Sequence, residues 1–141
     1  MGTHISIVVD WYGPYKGIQE AREPAENDYG DGLYLFIGRQ KYQKWPPKLL
    51  YVGISGSLHN RITTHHEKLP YIAGEPIIWL GEIASYGIPG PASQNLLHLA
   101  EWATAYFLKL SLNSKKTFNP PNYPVMVVNR WWKKDYKTRR K

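Results

Sequence analysis

The chain has 141 residues, 43% hydrophobic and 21% charged with a net charge of +7, which is enough apolar material for one core and does not read as a disordered chain. It has no cysteine, which excludes disulfides and thiolate metal sites. No apolar run approaches about 18 residues, which excludes a helical membrane span, and the start MGTHISIVVDWYG lacks the pattern of a secretory signal, so a cytoplasmic location is expected.

Residues 4–9 (HISIVV) read as a short strand. Residues 10–31 are rich in Gly, Pro and acid, with five acids and one Arg between Glu20 and Asp31. They read as a surface loop with at most one helical turn, facing away from any polyanion. Residues 32–37 (GLYLFI) and 49–54 (LLYVGI) read as two strands of a hairpin, with 38–48 at its tip. Ser55 and Ser57 are candidate N-caps for a helix over 58–68, ended by Pro70. Residues 77–84 form a fourth strand, followed by the Gly/Pro-rich YGIPGP. Ser93 then caps a helix to about Leu110, with Leu96, Leu99, Ala100, Ala103 and Phe107 facing the core. The prolines at 120, 121 and 124 keep 118–124 extended, and 125–129 (VMVVN) is a last strand. The fold class expected is α/β of the α+β kind: one domain, with a small, mainly antiparallel central sheet flanked by helices.

Residues 130–141 hold seven Lys/Arg and one Asp, whereas residues 1–129 hold eleven Lys/Arg and ten Asp/Glu, so the basic character is mostly a tail. Such a tail points to a polyanion or merely to a solvated end. Its aromatics Trp131, Trp132 and Tyr136 suit stacking on bases or packing on the domain. The hairpin tip also mixes cations and aromatics: Arg39, Lys41, Lys44 and Lys48 with Tyr42 and Trp45. The candidate nucleic-acid contacts are therefore Arg39, Lys41, Lys44, Trp45, Lys48, Arg130, Lys133 and Lys134.

Arg61 and His65 are four apart and would share a helix face, directly after the strand carrying Tyr51. Tyr34 and Tyr51 lie on strands that pair. Glu101 sits in the apolar run LLHLAEWATAYFL, where a carboxylate is costly unless it has a partner or faces a cleft. Each residue alone has a plain structural reading, as packing ring, surface cation or salt-bridge partner. Zinc on His59, His65 and His66 is poorly supported, because there is no cysteine and no HExxH helix.

Together, the spacing resembles the GIY-YIG nuclease family. Gly32-Leu33-Tyr34 is similar to the first namesake tripeptide and Tyr51-Val52-Gly53 to the second. Arg61 follows Tyr51 by ten residues, His65 follows Arg61 by four, and Glu101 is followed by Asn113 twelve residues on. The resemblance covers about 32–113, with Leu33 and Val52 in place of the namesake isoleucines and with Asn119 and Asn129 as rivals for the asparagine role. It implies a magnesium-dependent endonuclease acting on DNA, with manganese as a substitute ion. Glu101 would be the metal ligand, and Tyr34, Tyr51, Arg61, His65, Glu101 and Asn113 the catalytic set. RNA or branched substrates, and a non-catalytic binding module of the same fold, are the alternatives; the state expected is monomer or homodimer.

Overall fold

The computed structural model describes residues 5–28, 32–42, 46–63, 66–87, 96–108, 110, 112–113 and 125–132. The described elements run β1 (Ile5–Lys16), α1 (Gly17–Asp28), β2 (Gly32–Gly38), β3 (Lys48–Ser55), α2 (Leu58–Arg61), a 3-10 turn (Leu69–Tyr71), β4 (Ile77–Gly87), α3 (Leu96–Leu108) and β5 (Val125–Trp132). The strands form one five-stranded sheet in the order β3-β2-β4-β1-β5. Every pairing is antiparallel except that of β1 with β5, which is parallel. The protein is thus a mixed α/β fold of the α+β kind. No helix among the described residues is long and apolar enough to cross a membrane.

The period-two alternation of the strands divides the core between two faces. On one face Tyr15, Tyr34, Phe36, Tyr51, Ile78 and Leu80 pack with Ile18, Ala21 and Ala25 of α1 and Leu58 of α2. On the other, Ile7, Val9, Trp11, Leu33, Leu35, Val52 and Trp79 pack with Leu99, Ala100 and Ala105 of α3. β2, in the middle of its half of the sheet, is buried on both sides from Gly32 to Phe36, which accounts for its nearly unbroken apolar sequence.

Several expectations are corrected. β1 runs seven residues past Val9 to Lys16, because Trp11, Tyr12 and Tyr15 are buried against β4 and β5. The expected acidic loop is mostly the helix α1, whose apolar residues Ile18, Ala21 and Ala25 recur at helical spacing. Gly17 opens that helix at φ +79°, where a side chain would be strained and a Cβ would lie 2.7 Å from the Glu75 carboxylate. α2 is a single turn rather than a helix over 58–68, in keeping with the β-branched Ile62 and Thr63 that follow it. Ser57 makes no side-chain cap; Ser55 Oγ instead accepts from the Ser57 N–H at 2.9 Å and donates to the Ser57 carbonyl at 2.8 Å. Phe107 is 63% exposed, since periodicity gives the side of a helix but not how far the core extends beneath it. Ser93, the 118–124 segment and Tyr136 lie outside the described residues.

The presumed tail begins later than charge alone suggests. Residues 130–132 belong to β5. The Trp131 ring stacks on Trp11 with centroids 5.7 Å apart and meets Trp79 edge-on at 5.1 Å. Arg130 forms a forked pair with Asp10, Nε to Oδ1 at 2.6 Å and Nη2 to Oδ2 at 2.9 Å, and Trp132 Nε1 donates to the same Oδ1 at 3.0 Å. Asp10, 7% exposed, is the acceptor that fastens β5 to β1.

Candidate active site

Tyr34 and Tyr51 lie on paired strands one register step apart, since Tyr34 faces Gly53 and Phe36 faces Tyr51. Their rings sit 6.0 Å apart on the same sheet face. Gly53 makes this possible, because a Cβ there would run into the Tyr34 phenol. The glycine of the YVG tripeptide is therefore a space requirement set by the tyrosine of the other tripeptide.

α2 begins directly after β3 and carries Arg61 to the same place. The acidic helix α1 holds this segment from behind: Arg22 Nη1 donates to the Ile62 carbonyl at 2.9 Å. Arg61 also pairs with Glu67, Nη2 to Oε1 at 2.8 Å, with both side chains partly open to solvent. Glu101 comes from α3, which packs chiefly against the edge strand β3. It is 6% exposed and close enough to Tyr51 for its charge to act on that hydroxyl.

Tyr51 is where these residues converge. Burial pushes its pKa up most; hydrogen bonding from Tyr34 pulls it down, the Glu101 charge raises it, and the charge and hydrogen bonding of Arg61 lower it. Tyr34 is fully buried, and burial raises its pKa strongly, with the neighbouring Tyr51 as the next cause. Of the two tyrosines, Tyr51, at 8% exposed, is the one that reaches solvent at all.

The ring that completes the cluster is His66, which sequence spacing passes over in favour of His65. His65 lies outside the described residues, and the geometric argument for it does not hold, because α2 ends at Arg61. The His66 imidazole is 2% exposed and packs edge-on against Phe36 at 4.8 Å and against Tyr34 and Tyr51 at 5.5 Å each. Its Nε2 lies 2.6 Å from the Tyr34 hydroxyl, and its Nδ1 accepts the Lys68 backbone N–H at 3.1 Å. Burial, then the charge of Arg61, pushes its pKa down to about 4, so the ring is neutral near pH 7. A neutral imidazole whose Nδ1 accepts carries its proton on Nε2. His66 is thus a donor to Tyr34, which leaves the Tyr34 hydroxyl proton to point at Tyr51. A run of donors leads from the 66–68 backbone to the Tyr51 oxygen. Nothing in the local sequence around His66 signals that its ring turns inward.

Asn113 braces the strand that carries Tyr51. Its side-chain Oδ1 accepts the Val52 N–H at 2.9 Å and its Nδ2 donates to the Val52 carbonyl at 2.8 Å, while the Leu112 N–H donates to the Leu50 carbonyl at 3.0 Å. The amide stands in for a neighbouring strand along the open edge of β3, beside Tyr51. Of its rivals, Asn129 accepts from Trp11 Nε1 at 2.8 Å, and Asn119 is outside the described residues.

No family profile, curated protein or solved structure matches this chain.

The candidate nucleic-acid contacts divide. Arg39, Lys41 and Lys48 are exposed. Residues 39–41 pair with 71–73, through the Lys41 N–H to the Tyr71 carbonyl at 3.0 Å and the Ala73 N–H to the Arg39 carbonyl at 2.8 Å. The hairpin tip is therefore tied to the segment that leads away from His66. Arg130 is matched by Asp10, as described. Lys44, Trp45, Lys133 and Lys134 lie outside the described residues.

Proposed function

We propose that this protein is a metal-dependent endonuclease of the GIY-YIG type, hydrolysing phosphodiester bonds of DNA. The observation that carries the reading is the grouping of Arg61 and the Tyr34 hydroxyl at the hydroxyl of Tyr51, where the charge of Glu101 is also felt. These residues resemble the family's catalytic set in identity and order, and they lie far apart in sequence. Ordinary packing does not require a guanidinium and a nearly buried carboxylate at one phenol.

The residues suit magnesium or manganese better than zinc. Among the described residues no cluster of three His, Cys, Asp or Glu exists, and Glu101 is a nearly buried carboxylate whose charge reaches Tyr51. Magnesium is commonly held by one or two carboxylates, with water and substrate phosphate oxygens completing its shell. Glu101 would hold the ion, which when bound supplies Lewis-acid stabilisation of the phosphate and the leaving oxygen.

The chain's own residues then have distinct tasks. Tyr51, in its ionised form, takes the proton of the attacking water. Tyr34 donates to the Tyr51 oxygen and favours that form, and His66 holds Tyr34 in this donor role. Arg61 adds positive charge at the same oxygen, and its planar fork suits a phosphate in a way that lysine cannot copy. The aromatic enclosure of Phe36, Tyr34 and His66 keeps water from competing for these bonds.

The test is relaxation of supercoiled plasmid with magnesium. Wild type should nick, whereas Glu101→Gln and Tyr51→Phe should each lose about 100-fold or more, the scale of a lost proton-transfer group. Equal nicking by all three proteins would refute the assignment, and DNA binding without nicking by wild type would favour a binding module.

A further inference from the structure

Lys68 is absent from the sequence pattern that resembles the nuclease family, yet it borders the cluster. Its ammonium lies over the Tyr51 ring, 5.8 Å from the centroid. That is near the outer limit of a cation–π contact, about 6 Å, and a ring face satisfies none of the three N–H donors. Among the described residues no carboxylate lies within ion-pair distance of this ammonium. Arg61, by contrast, is offset by Glu67 at 2.8 Å. Among the described residues Lys68 is thus a cation at this edge of the site that no ion pair holds, although the adjacent Glu67 feels its charge.

Its backbone is held on both sides. The Lys68 N–H donates to His66 Nδ1 at 3.1 Å, and the Lys68 carbonyl accepts the Tyr71 N–H at 3.1 Å. The ammonium hangs on its flexible stem from a fixed turn, half-buried, between the tyrosine cluster and the basic hairpin tip that pairs with residues 71–73. A cation so placed, with open donors and no ion pair to fix it, suits a backbone phosphate neighbouring the one at Tyr51.

We infer that Lys68 is a phosphate-contacting residue of this site, gripping a nucleic-acid phosphate next to the scissile one. The inference rests on the nuclease reading and adds a binding residue to it. Arg61 engages the reacting phosphate at the Tyr51 hydroxyl, and Lys68 sets the register of the strand by holding the next phosphate over the ring.

The experiment uses the full chain carrying Glu101→Gln, which binds without cutting, and a fluorescein-labelled duplex DNA titrated at several salt concentrations. Adding Lys68→Met, which keeps the stem and the ring contact but removes the charge, should weaken binding by about 3- to 10-fold at low salt. It should also lower the log–log salt slope by about 0.9, the value for one phosphate contact. Lys68→Arg should restore the slope. In the otherwise wild-type enzyme Lys68→Met should raise KM for nicking and leave kcat within about 2-fold, because a contact made equally to bound substrate and transition state acts on binding alone. A slope and KM unchanged by Lys68→Met, with wild type still nicking plasmid, would overturn the role of Lys68 and spare the nuclease reading. Absence of both DNA binding and nicking in the wild type would overturn the two together.

Discussion

The chemistry of the candidate site depends on protons that individual side chains hold or refuse. His66 must stay neutral for its Nδ1 to accept the Lys68 N–H, and burial, followed by the charge of Arg61, brings its pKa from 6.5 to about 4. Between those values the unfolded chain binds a proton that the native protein does not. Its contribution to stability is therefore complete above about pH 6.5 and is lost as the pH falls toward 4. The loss expected is on the order of 2 kcal/mol, read from urea unfolding at about pH 5 against pH 7. His66→Gln should flatten the difference. Gly53 makes the opposite kind of contribution, by what it lacks. Gly53→Ala should cost about 2–4 kcal/mol, since the Tyr34 ring it strikes is fully buried and cannot move aside, and nicking should fall with it. Ordinary melting with full activity in that variant would mean that Tyr34 can be placed otherwise.

At the scale of elements, the edge of β3 is the point of weakness. Among the described residues β3 pairs with a strand on one side only, and Tyr51 projects from it. Asn113 closes the open side with two hydrogen bonds to Val52, both buried. Asn113→Ala leaves a buried N–H and a buried carbonyl without partners, each costing about 1–3 kcal/mol, so a loss of about 2–4 kcal/mol is expected in chemical denaturation. Amide hydrogen exchange along 50–53 should quicken in the same variant. Unchanged exchange there would show that the strand needs no such brace. α1 has a comparable supporting part, since its Arg22 holds the segment that follows Arg61.

For the whole molecule, the last strand decides whether the sheet is complete. β5 returns from far along the chain to lie parallel beside β1, and Trp131 fills the space between Trp11 and Trp79. Deleting 130–141 removes that ring together with the partners of Asp10, and a loss of at least the 3–5 kcal/mol typical of Trp→Ala is expected, seen as a lowered Tm. Deleting only 133–141 leaves these contacts in place and should lower Tm far less. Equal melting of the two truncated proteins would contradict a structural role for β5. The comparison also separates the charge that holds the fold, Arg130 on Asp10, from the charge beyond it.

Much was legible in the sequence because it is written locally. The apolar runs 32–37 and 49–54, the apolar stretch 77–84 and the helix around Glu101 appear from residue preferences, periodicity and turn residues alone, and so does the order in which Tyr34, Tyr51, Arg61 and Glu101 follow one another. What only the tertiary structure decided depends on partners distant in the chain. β1 continues past Val9 because β4 and β5 receive its aromatic rings, and Arg130–Trp132 became strand rather than tail because Asp10 and Trp11 accept them. That His66 turns inward is settled by a Tyr34 hydroxyl 32 residues away and a backbone N–H two residues on. Hydrogen-bond partners and packing volume are set by the folded neighbourhood, and no spacing along the chain encodes them.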